Sequence, residues 1–204
     1  MDPLLGDDSL TIGGMESVMR IIAGIYKSRK IESVPGMNVR PTPDRLRESL
    51  FSILTLDIDG STFVDAYAGS GSVGLEAISR GARKVIFLEQ DKAAISVLKQ
   101  NLIALGVGRG AYEIQAGGAA KHLADWPADI VFIDPPYDEE KEYLDSLEQA
   151  QGAKVILQHS VRLKLPEATP RLKRYREVRQ GDNVLSFYSP VTPLSEVTLP
   201  EDMA

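Results

Sequence analysis

Two stretches of this chain combine residue types and spacings that could do chemistry. In "VDAYAGSGSVGLEA", residues 64–77, Gly69, Gly71 and Gly74 stand in the spacing G-x-G-x-x-G, and Glu89 follows in "FLEQD". In "IVFIDPPYDEE", Asp134-Pro135-Pro136-Tyr137 comes directly after an apolar run. A glycine turn between a strand and a helix brings backbone N–H groups close to a ligand that a Cβ would hold off. Glu89, at the end of the next apolar run, is placed to accept hydrogen bonds from ribose hydroxyls, so the pair suits an adenosine-containing cofactor. The glycine spacing alone does not separate a dinucleotide from S-adenosylmethionine. Asp65, just before the loop, does bear on the choice. A carboxylate suits the amino group and sulfonium of S-adenosylmethionine and is repelled by a pyrophosphate.

The second stretch suits a flat amine. Two prolines fix φ and restrict the residues before them, which holds Asp134 and Tyr137 in place. An exocyclic amine on a nucleobase is a poor nucleophile because its lone pair is delocalised into the ring. If the Asp134 carboxylate and the Pro135 carbonyl accept its two N–H hydrogens, the nitrogen gains electron density and its lone pair is aimed at a methyl donor. Asp134 then stabilises the positive charge that develops on nitrogen, and Tyr137 offers an aromatic plate for a base swung out of its stack. The expected catalytic residues are Asp134, Pro135 and Tyr137. The expected cofactor contacts are Asp65, Ala68, Gly69, Gly71, Gly74, Glu89, Gln90 and Ala119.

These residues need strands that end together. "TFVDAYA", "KVIFLE", "YEIQ", "DIVFID" and "AKVILQ" read as strands, and residues 71–80, 91–105 and 138–150 read as helices between them. Alternating strands and helices imply right-handed crossovers and a mostly parallel sheet covered on both faces, a doubly wound α/β fold of Rossmann-like type. "RLKRYREVRQ" and "NVLSFYS" flank Gly181-Asp182 and read as an antiparallel C-terminal hairpin at the sheet edge. Upstream, "MRIIAGIYKSRKIESV" reads as a strand pair. "RPTPDRLRESLFSIL" reads as an amphipathic helix with Leu46, Leu50, Phe51 and Leu54 on one face.

Composition narrows the classes. A hydrophobic share of 43% with 25% charged residues fits a soluble globular chain, and no apolar run approaches the span of a membrane helix. The acidic N-terminus lacks the basic start and apolar core of a secretory signal, so a cytoplasmic location is expected. Nothing in the sequence suggests an obligate partner, so a monomer is expected, and Met19, which opens the first β-branched run, is the expected natural start. The chain has no Cys, which excludes disulfides, zinc–thiolate sites, iron–sulfur clusters and the thiolate mechanism of C5-pyrimidine methylation. His122 and His159 are the two histidines, far apart in sequence, and no metal site is expected. Trp126, ahead of a strand, is expected to pack under a loop; Tyr67 either lines the cofactor pocket or joins the core. The net charge is −6, so nucleic-acid contacts must come from local basic patches, here residues 19–48 and Arg171–Arg179. The second patch is either an RNA contact or the solvated face of an edge strand.

Together "MRIIAG", "RPTPDRLRESLFSIL", "DAYAGSGSVGLEAISRGA", "LEQD" and "DPPY" resemble the RsmD family of bacterial 16S rRNA guanine-N2 methyltransferases, over most of residues 19–188. The resemblance implies methylation of a guanine N2 amine with S-adenosylmethionine. Its substrate would be 16S rRNA in the small ribosomal subunit or an assembly intermediate. It also implies that the N-terminal hairpin and the Arg40–Glu48 segment lie near the active-site mouth, with Arg20, Lys27, Arg29, Arg40 and Arg45 as RNA contacts. The expected division is a disordered tail over 1–18, an RNA-facing extension over 19–59, the methyltransferase domain over 60–189 and a tail over 190–204. Two positions depart from the family pattern. Gly118 stands where an acid or amide is common, leaving the Ala119 N–H to meet the adenine, and Gln158 stands where an acid is common. Other readings are a nicotinamide oxidoreductase, which has no use for "DPPY"; a methyltransferase for adenine N6 or protein glutamine; and an RNA-binding relative without turnover.

Overall fold

The computed structural model describes residues 19–34, 44–135 and 140–191. The expected tail over 1–18 lies outside the described residues, as does the expected tail over 190–204 from residue 192 onward, and so do Arg40, Pro136 and Tyr137. The start of that second tail is corrected, because Pro190 pairs with Leu172 as the last residue of the final strand. In chain order the elements are β1 (Met19–Arg20), β2 (Lys30–Ile31), α1 (Asp44–Ile53), β3 (Thr62–Ala66), α2 (Ser72–Ser79), β4 (Lys84–Glu89), α3 (Lys92–Leu105), β5 (Tyr112–Ala116), α4 (Ala119–His122), β6 (Ala128–Ile133), α5 (Glu140–Gln149), β7 (Gly152–Ser160), β8 (Leu172–Gln180) and β9 (Asn183–Pro190).

Seven strands form one sheet in the order β5-β4-β3-β6-β7-β9-β8. β5, β4, β3, β6 and β7 run parallel, and in chain order each of β3 to β7 is joined to the next by a helical crossover. β9 lies antiparallel between β7 and β8, so the C-terminal hairpin adds its second strand to the sheet and leaves its first at the edge. This is the doubly wound α/β sheet with a C-terminal hairpin that the strand–helix alternation predicts. The chain runs outward from β3 to β4 and β5, then returns to place β6 on the other side of β3. The topological switch point therefore lies between β3 and β6, where ligands bind in open sheets of this kind.

Both faces are covered. One core cluster joins Phe63, Val85, Phe87, Phe132, Ile156 and Phe187 of the sheet to Leu46, Leu50, Phe51 and Leu54 of the α1 region, and to apolar residues of α2 and α3. Each of those four α1-region side chains is at most 1% exposed, and burial of each contributes about 1.5–3 kcal/mol gross. Met19, Ile21 and Ile31 belong to this cluster as well, so the N-terminal hairpin shares the core of the sheet. The opposite face packs Val64, Ile86, Val131 and Val155 against Tyr143 and Leu147 of α5 and Leu123 after α4. Trp126 packs against that second cluster, with the Lys84 ammonium 5.7 Å from its ring.

The N-terminal hairpin has strands of two residues each, shorter than the sequence suggests. The reason is that much of its backbone bonding goes to Glu76 and Ser79 of α2 instead of a strand ladder. Glu76 accepts from Ile22 N at 2.7 Å and Ala23 N at 3.0 Å, Ser79 Oγ accepts from Tyr26 N at 3.0 Å, and the Ser79 carbonyl accepts from Ile25 N at 2.8 Å. The four-residue α4 is unforeseen, since one turn is too short to show a period. Among the described residues no helix is long and apolar enough to cross a membrane.

Candidate active site

Strand register sets the geometry. Leu88, Ala66 and Ile133 are paired across β4, β3 and β6, so the residues that follow them, Glu89, Tyr67 and Asp134, share the carboxyl-end rim at the switch point. With neighbouring strands about 4.8 Å apart, Glu89 and Asp134 flank a crevice about 10 Å wide. The glycine turn and the start of α2 rise from the middle strand into it.

The three glycines do different work. Gly71 caps α2 at φ 86°, and a Cβ there would lie 2.3 Å from Leu98 Cδ1. Gly74, inside α2, would put a Cβ 2.2 Å from Phe87 Cε1, so it lets the helix lie directly on β4. Gly69, at φ 55°, faces no atom within 4 Å and is the glycine with open space over it. Gly74→Ala is accordingly expected to cost about 1–3 kcal/mol through overpacking. Thermal melting would show this as a loss of about 2–4 °C for each kcal/mol in a chain of this size.

Side chains brace the turn from below. Asp65 Oδ2 accepts from Gly74 N at 2.7 Å. The Glu89 carboxylate accepts from Gly69 N at 2.7 Å through Oε2, and from Gln90 N and Asp91 N at 2.8 Å each through Oε1. An ionised carboxylate has about four lone-pair sites, so Oε2 retains room for one further donor such as a ribose hydroxyl. Ala68 is buried and donates its N–H to Leu88 O at 3.0 Å, locking the turn to β4. Tyr67 stands in the left-handed region at φ 65°, a strain of about 1–3 kcal/mol, and its hydroxyl is held by Glu142 at 2.8 Å and Ser146 at 2.6 Å on α5. It thereby belongs both to the rim and to the packing beneath it.

Asp65 is buried and its carboxyl is pushed well above the usual carboxylate range. Burial is the main cause, the Gly74 N–H opposes it, and the nearby Asp134 and Glu89 charges add to it. The unfolded chain then releases this proton before the folded one, so the group's contribution to stability falls as pH rises above about 4. Asp65→Asn keeps an acceptor for Gly74. The melting temperature of the variant is expected to gain on the wild type as pH rises above about 4, checked by melting both proteins over a pH series.

Asp134 and Pro135 directly follow β6, and Pro135 is buried. The Tyr143 hydroxyl of α5 donates to the Pro135 carbonyl at 3.3 Å. That carbonyl keeps a second lone pair. Tyr143, 1% exposed, is thus a support for this turn that sequence reading missed. Tyr137 lies outside the described residues. On the far side of β4, Gly118 caps α4 and Ala119 opens it, 2% exposed, with Gln90 Oε1 close to where a Gly118 side chain would begin. Gln158 is fully buried within β7. His159 is also buried, bonded through Nδ1 to the Ser160 carbonyl at 2.9 Å and through Nε2 to Ser186 at 2.8 Å, and burial lowers its pKa. His122 lies 3.3 Å from Asp125.

The basic residues divide between the two ends of the sheet. Arg45 is exposed on the first turn of α1, and Gln180 bonds Ser49 on the same helix where β8 reaches the carboxyl end. Arg20 offers its carbonyl to Arg47, 2.6 Å away. Lys27 lies in the hairpin turn that docks on Ser79, the last residue of α2, and Arg29 donates to Ala104 O at 2.6 Å near the end of α3. Both helices end at the amino ends of the strands, so the structure does not bring Lys27 and Arg29 to the rim that holds Asp134. Arg40 lies outside the described residues.

Two further positioning residues emerge. Asn101 of α3, 2% exposed, accepts from Glu32 N at 2.8 Å and donates to Glu32 O and Ser70 O at 3.0 Å each, tying the N-terminal segment to the glycine turn. Glu76, fully buried, adds Arg80 Nε at 2.7 Å to its two backbone donors. A polar residue on a helix face that is otherwise apolar was the available signal for both.

Comparison with known proteins shows the family and the fold. The family model described as conserved hypothetical protein 95 matches residues 19–189. Ribosomal RNA small subunit methyltransferase D of Escherichia coli K12 is 33% identical over 178 residues, covering 83% of this chain and 89% of that one. "Putative rRNA methyltransferase YlbH" of Bacillus subtilis is 32% identical over 182 residues, covering 83% and 98%. The solved structure of "Putative methyltransferase yhhF" from Escherichia coli superposes with a TM-score of 0.73 at 33% identity, covering 84% of this chain and 97% of that one. With its matched span, its doubly wound sheet and its glycine and Asp134-Pro135 turns at one switch point, the chain belongs to the conserved hypothetical protein 95 family and is an RsmD-family methyltransferase.

Proposed function

We propose that this enzyme transfers a methyl group from S-adenosylmethionine to the exocyclic N2 amine of a guanine in 16S rRNA, within the small ribosomal subunit or its assembly intermediate. The observation that carries the reading is the placement of Asp134 and the Pro135 carbonyl on the same rim as the open glycine turn and Glu89. The residues present fit the cofactor. Gly69 leaves space above the turn, Glu89 keeps an acceptor for a ribose hydroxyl, and Gln90 and Ala119 line the side where an adenine would lie. S-adenosylmethionine supplies a methyl group activated on a sulfonium.

The remaining chemistry belongs to the chain. Asp134 and Pro135 O accept the two amine hydrogens, which orients the nitrogen lone pair and raises its electron density. The Asp134 carboxylate stabilises the charge developing on nitrogen, an electrostatic effect fixed before reaction begins. Tyr143 keeps the Pro135 carbonyl in position, and Tyr137 stacks on the base.

The test is methyl transfer from labelled S-adenosylmethionine to small subunits from a strain lacking the modification, beside duplex DNA and bulk protein. Label in 16S rRNA supports the reading. Cofactor binding with label in DNA or protein instead replaces it with adenine or glutamine methylation.

A further inference from the structure

The placement of Lys27 and Arg29 at the amino ends of the strands leaves open which surface guides substrate to Asp134. At the carboxyl end, a groove of about 560 Å³ opens between α1 and the edge strand β8. Arg45 stands on the helix side and Arg176 on the strand side, Ser49, Ser52 and Gln180 supply hydroxyl and amide groups, and Glu48 is the carboxylate among the lining residues. Both arginines are exposed and neither has an ion-pair partner among the described residues, whereas Arg174 on the same strand is held by Glu167 and Glu177.

The groove opens on the rim of the candidate site. Gln180 pairs with Asn183, which pairs with Ser160, the last residue of β7, so β8 ends where β7 ends. Between β6 and β8 lie β7 and β9, three strand spacings, so the mouth is about 14 Å from Asp134. A target base held at Asp134 therefore places its flanking backbone over this edge. Arginine, serine and glutamine are the side chains that contact phosphate and sugar without reading sequence. On a chain of net charge −6, such contacts must be concentrated where the backbone passes.

We propose that the α1–β8 groove seats the sugar–phosphate backbone of the substrate RNA beside the target nucleotide, with Arg45 and Arg176 each neutralising a phosphate. The proposal rests on the RNA reading above. It also assigns the basic edge strand to substrate binding, in addition to any role in blunting strand pairing.

The experiment compares wild type, R45Q/R176Q and K27Q/R29Q, with binding to a 16S rRNA transcript and to small subunits measured over a salt series, and with KM and kcat. All four side chains are on the surface, and melting curves confirm that the variants fold. The expected result is that R45Q/R176Q flattens the slope of log K against log salt by about 0.7 for each lost phosphate contact. It should also raise KM for RNA several-fold with a smaller effect on kcat, while E48Q tightens binding. A wild-type slope in R45Q/R176Q overturns the proposal, as does a flattened slope in K27Q/R29Q alone, which moves the footprint to the opposite end. Wild-type protein that methylates RNA separates these outcomes from failure of the RNA reading; wild-type protein that binds no RNA removes both.

Discussion

Asp134→Asn is expected to lower kcat for methyl transfer by about 10²–10³-fold, the size of effect seen when a preorganised charge-stabilising group is removed. The amide keeps the shape and one acceptor, so what is lost is the negative charge that meets the developing positive charge on nitrogen. Folding should not suffer. Asp134 is one of the charges that hold the Asp65 carboxyl high, and removing a like charge relieves Asp65 instead of straining it. The variant is expected to bind S-adenosylmethionine near the wild-type level and to melt at or above the wild-type temperature. Calorimetric titration, melting and single-turnover transfer would check the three parts. A variant that melts early and loses cofactor would assign Asp134 a structural role.

The largest effect on stability is expected at Glu76→Ala. Its carboxylate is fully buried and collects Ile22 N, Ala23 N and Arg80 Nε. It also offsets the charge of the buried Arg47 guanidinium, whose pKa is lowered by burial and supported by Asp44 and Glu76. Truncation leaves two backbone donors unmatched and two cations without their shared anion. Breaking a buried pair from one side costs about 3–5 kcal/mol, which for a chain of this length lowers the melting temperature by about 6–20 °C. Hydrogen exchange should rise first over residues 19–31. Glu76→Gln, which keeps acceptor capacity, is expected to lose less.

Those two residues also show what the sequence made legible. Asp134 could be found because the prolines and the apolar strand before it announce a rigid turn at a strand end, and strand ends are where open sheets bind ligands. The glycine turn was found by spacing, but spacing treats its glycines alike. The structure separates Gly69, which faces open space, from Gly74, which exists so that α2 can lie on Phe87. That distinction depends on which strand the helix crosses. Glu76 and Asn101 were missed because their partners, Ile22, Ala23 and Glu32, are 53 to 69 residues away in sequence. The same limit explains Lys27 and Arg29. Their charge is plain in the sequence, but which end of the sheet the hairpin turn reaches is settled by its docking on Ser79. The order of strands and helices, by contrast, follows from periodicity and turn residues, which are local. The edge position of β8 follows from its exposed charged pattern once β9 is placed inside it.

The measurement that bears most directly on the central claim is identification of the methylated nucleoside. Small subunits lacking the modification would be incubated with the protein and S-adenosylmethionine, the 16S rRNA digested, and the nucleosides resolved by mass spectrometry, with Asp134→Asn in parallel. N2-methylguanosine is expected from the wild type, suppressed about 10²–10³-fold in the variant. A different methylated nucleoside, or N2-methylguanosine formed equally well by the variant, would contradict that claim.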